Sequence, residues 1–385
     1  METMKLFIVG AGGYGHVYMN RMAENTDADL VLEGICEVAP GIENVYPIIK
    51  EKNIPVYRNI EDFYKEHTAD LAIISTPIHL HHPQVLQCLA HGSNVLVEKP
   101  VCTSLEEAEE LIAAEKASGC FVSVGYQTNY GDAVLAIKRD ILAGKFGKPV
   151  YMRGYHGYRR GDKYYGRNNW AGKRTVNGHA VNDSPLNNSN AHQFQNMLFL
   201  LGDTIDTAAD VVKVDAELYR VNPIVENFDT VGVRVETTAG VPVFYCTTHN
   251  CKDAIMGPYS EFKFEKATIY LHETEGEHPE DYIVVWNDGT KENYGRLDVD
   301  HKKKFHDTVD CVKNGGHPVC TVQAAMTHLR VIETLAKLPV KDVDRACVTK
   351  YDLDGDTMYY LNDVETLFRN CYKEGKLPTE AGICW

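Results

Sequence analysis

Hydrophobic residues follow two regimes along this chain, and the change comes near residue 126. Before it, short apolar runs alternate with helix-patterned stretches. Lys5-Leu6-Phe7-Ile8-Val9, Leu30 to Cys36, Leu71-Ala72-Ile73-Ile74, Asn94 to Val97 and Phe121 to Val124 are the runs. Continuous apolarity over four or five residues marks a parallel strand covered on both faces. Asn59 predicts a helix start at Ile60, and His91-Gly92 predicts the end of the helix opened by His81-His82-Pro83. Ser104 with Glu107 fits a capping box, ahead of an apolar face at Leu105, Ala108, Leu111 and Ile112. Alternation of strand and helix predicts an α/β domain, a doubly wound parallel sheet, over residues 1–125.

Beyond residue 126 the pattern loosens. A helix is predicted over Ala133–Leu142, then a long polar and aromatic loop from Gly154 to Asn190, then a helix over His192–Leu201. Alternating stretches follow at Thr230–Val235, Val241–Thr247, Glu261–Leu271 and Tyr282–Trp286. They predict an α+β domain over 126–385 built on a large open mixed or antiparallel sheet. Late helices return at Lys303–Asn314 and Thr321–Ala336. They are candidates for packing back on the first domain.

The first run feeds Gly10-Ala11-Gly12-Gly13-Tyr14-Gly15, a G-x-G-x-x-G turn followed by a helical stretch. In a dinucleotide-binding turn the first glycine makes the bend, the second admits a pyrophosphate, and the third packs helix on strand. Glu37 closes the next strand, where a carboxylate takes ribose hydroxyls and repels a 2′-phosphate. Val38-Ala39-Pro40 adds no cation, so NAD is expected over NADP.

A net charge of −15 disfavours nucleic acid and anionic membranes as partners. No apolar run approaches the roughly 20 residues that span a bilayer. Eleven cysteines without C-x-x-C pairs read as reduced thiols, and a cytoplasmic location is expected. Neither His79, His81 and His82 nor Cys246, His249 and Cys251 has convincing ligand spacing, and no metal is expected.

These residues resemble the Gfo/Idh/MocA oxidoreductases over almost the whole chain. The markers are the glycine turn, Thr76-Pro77-Ile78-His79-Leu80-His81, Val97-Glu98-Lys99-Pro100, Gly125-Tyr126-Gln127, and His192 ten residues before Gly202. The resemblance implies a Rossmann domain, a substrate domain whose sheet assembles homodimers or homotetramers, and NAD(P)-linked chemistry on sugars or cyclitols. It implies that Lys99 contacts the reacting hydroxyl, that His192 exchanges its proton, and that the Lys99–Pro100 bond is cis. Four positions depart from the family pattern: Asn188 stands where Asp is common, Gln195 where a second Asp is frequent, Asn129 for arginine and Ile78 for asparagine. An amide at 188 can orient a hydroxyl but adds no charge to His192.

The candidate catalytic residues are therefore Lys99, His192 and Asn188. Candidate cofactor contacts are Gly10, Gly12, Gly13, Tyr14, Gly15, Glu37, Thr76, Pro77, His81, Glu98, Lys99 and Gln127. Candidate substrate contacts are Lys99, Tyr126, Tyr155, His156, Tyr158, Arg159, Trp170, Asn188 and His192. Hydride transfer needs a held nicotinamide, an aimed C–H and a proton acceptor; lysine and histidine fit the last role. Aromatics and amides in the 154–190 loop suit a sugar carrying an attached group, such as a glycoside. The leading expectation is oxidation of a secondary ring hydroxyl, first choice the 3-position of a glucoside, to a ketone. A redox-assisted glycosidase and a non-catalytic sugar or NAD sensor are the alternatives.

Overall fold

In the computed structural model, which describes residues 3–272, 280–297 and 301–385, the chain forms two compact units. The first comprises residues 1–130 and 299–326; the second comprises 131–298 and 327–385.

The six strands of the first unit are β1 (Met4–Val9), β2 (Leu30–Cys36), β3 (Val56–Tyr57), β4 (Leu71–Ile74), β5 (Asn94–Val97) and β6 (Val122–Val124). They pair in parallel in the order β3-β2-β1-β4-β5-β6. This is the doubly wound order, and it reverses beside β1, the switch point at which such sheets bind ligands. The continuous apolar runs explain it: Leu6, Ile8, Ile73 and Leu96 pack on one face with Tyr18, Met19 and Met22, while Phe7 stacks on Phe63 on the other, centroids 3.8 Å apart. Each fully buried aliphatic or aromatic side chain contributes roughly 1.5–3 kcal/mol by leaving water. The helix Lys303–Asn314 adds Phe305 and Val309 to this core. Asn59 caps its helix by accepting from the Asp62 N–H, and Ser104 accepts from the Glu107 N–H. The reciprocal arm of the capping box falls one residue early, on the Thr103 N–H.

In the second unit β7 runs Pro149–Arg159, six residues into the expected loop. A small ribbon of β8 (Thr175–Val176) and β9 (His179–Ala180) follows. Then come β10 (Val211–Arg220), β11 (Thr230–Thr237), β12 (Pro242–Thr248), β13 (Asn250–Phe264), β14 (Ala267–Leu271), β15 (Asp281–Trp286), β16 (Lys291–Arg296) and β17 (Val340–Asp342). The expected strand Glu261–Leu271 is thus two strands, β13 and β14, joined by a tight turn. Nine strands form one mixed sheet, β16-β15-β14-β13-β7-β12-β11-β10-β17, with β7–β12 and β10–β17 parallel and the other pairs antiparallel.

The helix Ala191–Leu200 covers one face of this sheet, with Phe194 against Tyr245. The opposite face is covered at its centre by a hairpin, β18 (Val348–Leu353) with β19 (Asp356–Leu361), and by the helix Val364–Glu374. Phe368, Cys371 and Tyr372 pack there on Tyr155, Phe244 and Cys246. Arg153 Nη1 donates to the Lys373 carbonyl at the carboxyl end of that helix, where a cation offsets the helix dipole.

Candidate active site

In the first unit the glycine turn needs its glycines. Gly10 has φ +86°, and a Cβ there would lie 2.8 Å from Thr76 Cγ2. At Gly15 a Cβ would meet the Gly10 carbonyl oxygen at 2.1 Å, so only glycine lets the helix His16–Ala23 start against β1. Nothing lies within 4 Å of a Cβ built on Gly13, leaving room at the turn for a pyrophosphate. Glu37 reaches back to this turn. Its Oε2 accepts from the Ala11 and Gly12 N–H groups at 2.9 and 3.1 Å, and its Oε1 from Ala39. These residues fit a dinucleotide. A cation that the local sequence hid also stands here: Arg58 Nη1 donates to the carbonyls of Glu37 and Ala39 at 2.7 and 3.0 Å.

Beyond β5 comes Glu98-Lys99-Pro100, with the Lys99–Pro100 bond cis. Glu98 was expected among the cofactor contacts, but its buried carboxylate works inside the fold. Oε1 accepts from Tyr18 Oη at 2.6 Å and from Lys304 Nζ, and Oε2 from the Lys99 N–H at 3.3 Å. Lys304 also donates to Tyr14 Oη at 3.0 Å, and Tyr14 donates to Gln127 Oε1 at 3.3 Å. Burial lowers the Lys304 pKa from its ordinary value, and the facing Glu98 carboxylate offsets part of that. Lys304, absent from the sequence-based candidates, thus links the Glu-Lys-Pro turn to the glycine turn.

Two further expectations in this unit are corrected. His81 lies 2.8 Å from the Pro100 carbonyl through Nδ1 and 2.8 Å from the Thr76 carbonyl through Nε2. With both ring nitrogens on backbone, the buried imidazole ties two loops together and has no polar atom left for a cofactor. Tyr126 is 1 % exposed, a core ring beside Cys102 and Cys320 rather than a substrate contact. Thr76 packs its methyl against Gly10 while its hydroxyl donates to Gln84, and Pro77 starts a short 3-10 turn.

In the second unit strand alternation sorts the substrate candidates. Gly154, His156 and Tyr158 point to the face covered by Ala191–Leu200, as their register partners Tyr245 and Thr247 do. Tyr155 and Arg159 point to the other face. Tyr155 stacks on Tyr259 under the helix Val364–Glu374, and Arg159 donates to the Lys252 carbonyl. Both are therefore withdrawn as substrate contacts, and Arg160 takes their place beside Tyr158. The same face carries the turn that holds His192. Asn190, two residues earlier, donates through Nδ2 to Thr247 Oγ1 and accepts through its carbonyl from Tyr245 Oη.

Asn188 Nδ2 donates to Asp183 Oδ1 at 2.8 Å, while Asp183 Oδ2 accepts from the Gly172 N–H at 2.7 Å. Asp183 is buried, so a carboxylate does stand behind position 188, five residues upstream. His249 is bonded to Tyr165 Oη through Nδ1 and to Ser189 Oγ through Nε2. Burial first, and then the Arg160 and Arg167 charges, hold its pKa well below the ordinary histidine value.

A doubly wound sheet with this glycine turn and acidic strand end defines a dinucleotide-binding Rossmann protein. Residues 4–126 match the Gfo/Idh/MocA oxidoreductase family, NAD-binding Rossmann fold. It is similar to 2,7-anhydro-N-acetylneuraminate hydratase of Mediterraneibacter gnavus, 29% identical over 151 residues, 39% of each chain. It is also similar to inositol 2-dehydrogenase of Rubrobacter xylanophilus, 28% identical over 157 residues, 40% of this chain and 44% of the relative. The matched stretches thus span about two fifths of these relatives' length. The fold is shared with the WlbA dehydrogenase of Bordetella pertussis, solved with NADH and UDP-GlcNAcA. That likeness has a TM-score of 0.70 and 18% identity, and covers 88% of this chain and 99% of that one.

Proposed function

We propose that this protein is an NAD-dependent oxidoreductase that oxidises a secondary ring hydroxyl of a sugar or glycoside to a ketone. The first choice is the 3-position of a glucoside. The observation that carries the reading is the linked pair of turns in the first unit: a glycine turn shaped for a dinucleotide, bonded through Tyr14 and Lys304 to the Glu98-Lys99-Pro100 turn. Inositol 2-dehydrogenase among the relatives supports a polyhydroxylated ring as substrate. When bound, the nicotinamide supplies the hydride acceptor. Lys99 and His192 hold and pass the hydroxyl proton, and Asn188, set by Asp183, orients a neighbouring hydroxyl.

The test is NADH absorbance across a panel of monosaccharides, cyclitols and methyl glycosides, with NMR of the product to place the ketone. Turnover on some panel member with an intact keto product supports the reading; none with any member overturns it. A relative named as a hydratase favours one second reading, in which the oxidation is transient. Free aglycone without net NADH would select that redox-assisted glycosidase.

NAD is preferred over NADP because the Glu37 carboxylate repels a 2′-phosphate, while Arg58 is engaged by two backbone carbonyls. Replacing Glu37 by Ser is expected to narrow the NAD/NADP ratio of kcat/KM by about tenfold or more, since removing one close like charge is worth about 1–2 kcal/mol. An unchanged ratio would return the discrimination to some other group.

Self-association is proposed through the part of the mixed sheet that the C-terminal segment leaves uncovered, on β14 to β16. Tyr270, Ile283 and Val285 are half-buried there. Sedimentation velocity is expected to show a dimer or tetramer that Ile283→Lys dissociates; a wild-type monomer would refute this.

A further inference from the structure

The second unit holds a cationic aromatic cluster with no part in proton or hydride transfer. Arg160 and Arg167 both lie over the ring of Tyr164, their Cζ atoms 4.8 and 3.7 Å from its centroid. Arg160 also lies over Tyr158 at 4.7 Å, and Arg167 over Trp170 at 5.1 Å. Two guanidinium groups on one ring repel each other. Elsewhere in this chain partly buried arginines face carboxylates or backbone carbonyls: Arg220 meets Asp342, Arg234 meets Glu380 and Arg330 meets Asp210, while Arg153 and Arg159 donate to carbonyls. Among the described residues neither Arg160 nor Arg167 forms an ion pair, although the chain carries a net charge of −15.

Hydrogen bonds are missing at the same place. The Nε–H of Arg160 is shielded from water and has no partner. His156, 5 % exposed and in ring contact with Tyr158, has no partner for either nitrogen. Leaving buried donors unmade is costly, and natural folds satisfy nearly all of them. Burial, then the charges of His272 and Arg160, push the His156 pKa down to about 3, so its ring is neutral and one nitrogen carries a donor hydrogen. Of the carboxylates in this neighbourhood, Asp183 receives the Gly172 N–H and the Asn188 amide, Asp356 the Lys163 N–H, and Asp162 the Asn222 amide. Planar guanidinium forks match carboxylate and phosphate oxygens better than they match hydroxyls.

We propose that Arg160, with Arg167 at its outer edge and His156 beside it, forms a subsite for an anionic group carried by the sugar, a carboxylate or a phosphate ester. The proposal rests on the sugar reading above and narrows it to acidic sugars and their glycosides. Tyr158, Tyr164 and Trp170 then hold the guanidinium groups flat and present apolar faces to the ring.

Isothermal titration of the full chain, with and without NAD, against methyl β-D-glucuronide, D-glucose 6-phosphate and methyl β-D-glucoside tests it. One charged probe is expected to bind about ten- to a hundredfold more tightly than the neutral glucoside. A glucuronide preference identifies a carboxylate, and a 6-phosphate preference a phosphate ester. Arg160→Met should erase the gap, and Arg167→Gln, at an exposed position, should reduce it by about threefold. Circular dichroism checks that both variants fold. Equal affinity for all three probes overturns the proposal, as does no binding of either charged probe at about 10 mM or a gap that survives Arg160→Met. Calorimetry needs no turnover. A charged-probe preference with no turnover of any member of the sugar panel would therefore sink the oxidoreductase reading and leave the subsite standing.

Discussion

Lys304→Met is expected to destabilise the protein by about 3–5 kcal/mol, because it strips the counter-charge from a buried carboxylate. Lys304 Nζ has no exposed surface and meets Glu98 Oε1, Tyr14 Oη and, at 3.4 Å, the Gly125 carbonyl. Glu98 keeps its bonds from Tyr18 and the Lys99 N–H, which cannot neutralise a full charge. Gly125 makes room for this carboxylate, since a Cβ there would meet it at 2.9 Å. Urea denaturation of the full chain, followed by tryptophan fluorescence and circular dichroism together, reads the loss. The double variant Lys304→Met with Glu98→Gln should recover a large share of it, because the uncompensated charge is gone. A single-variant loss under about 1 kcal/mol would mean that the pair only breaks even with its desolvation cost. NAD affinity should fall with Lys304→Met as well, since the same ammonium steadies Tyr14 in the glycine turn.

That node marks the boundary of what sequence could tell. The glycine turn, β4, β5 and the caps at Asn59 and Ser104 were legible because their signals are local: apolar continuity, a turn residue, a cap three residues from its partner. The helix Lys303–Asn314 was legible too, but its reach to Glu98 spans 206 positions and leaves no periodic trace. Arg58 escaped for the same reason. It comes from the loop after β3, not from the residues that follow Glu37. Position 188 shows a different failure. Comparing one position with a family pattern suggested a missing charge, while the fold supplies Asp183 from the preceding turn. The stretch after Gly154 has the polar and aromatic composition of a loop, which masks its period of two. Once Pro149–Arg159 is a strand, Tyr155 and Arg159 must face away from His156 and Tyr158. Alternation in Gly154-Tyr155-His156-Gly157-Tyr158-Arg159-Arg160 was the available signal, and it selects Arg160. The hairpin β18–β19 carried no expectation at all, and it covers a face that the resemblance leaves open for assembly.

Lys99→Met should lower kcat by about 10²–10⁴-fold, the range for removing a positioned proton-transfer group, with the Kd for NAD nearly unchanged. The lysine follows Glu98 at the carboxyl end of β5, where its backbone N–H is held by the Glu98 carboxylate. Its backbone is thus set by the fold. Lys99→Arg should not restore the rate, because a guanidinium stays protonated at every accessible pH and cannot take up a proton. His192→Asn is expected to fall within the same range but to differ in its pH profile. The pH dependence of kcat/KM that the imidazole carries should vanish in His192→Asn and persist in Lys99→Met. Asp183→Asn separates positioning from proton transfer. It should raise KM for the sugar through a loosened Asn188, with a smaller effect on kcat than either of the other substitutions. If Lys99→Met turns over within about threefold of wild type on the best substrate, the proton leaves by another route and the proposed chemistry fails. If only the NAD affinity collapses, Lys99 is a cofactor-binding residue and not a participant in proton transfer.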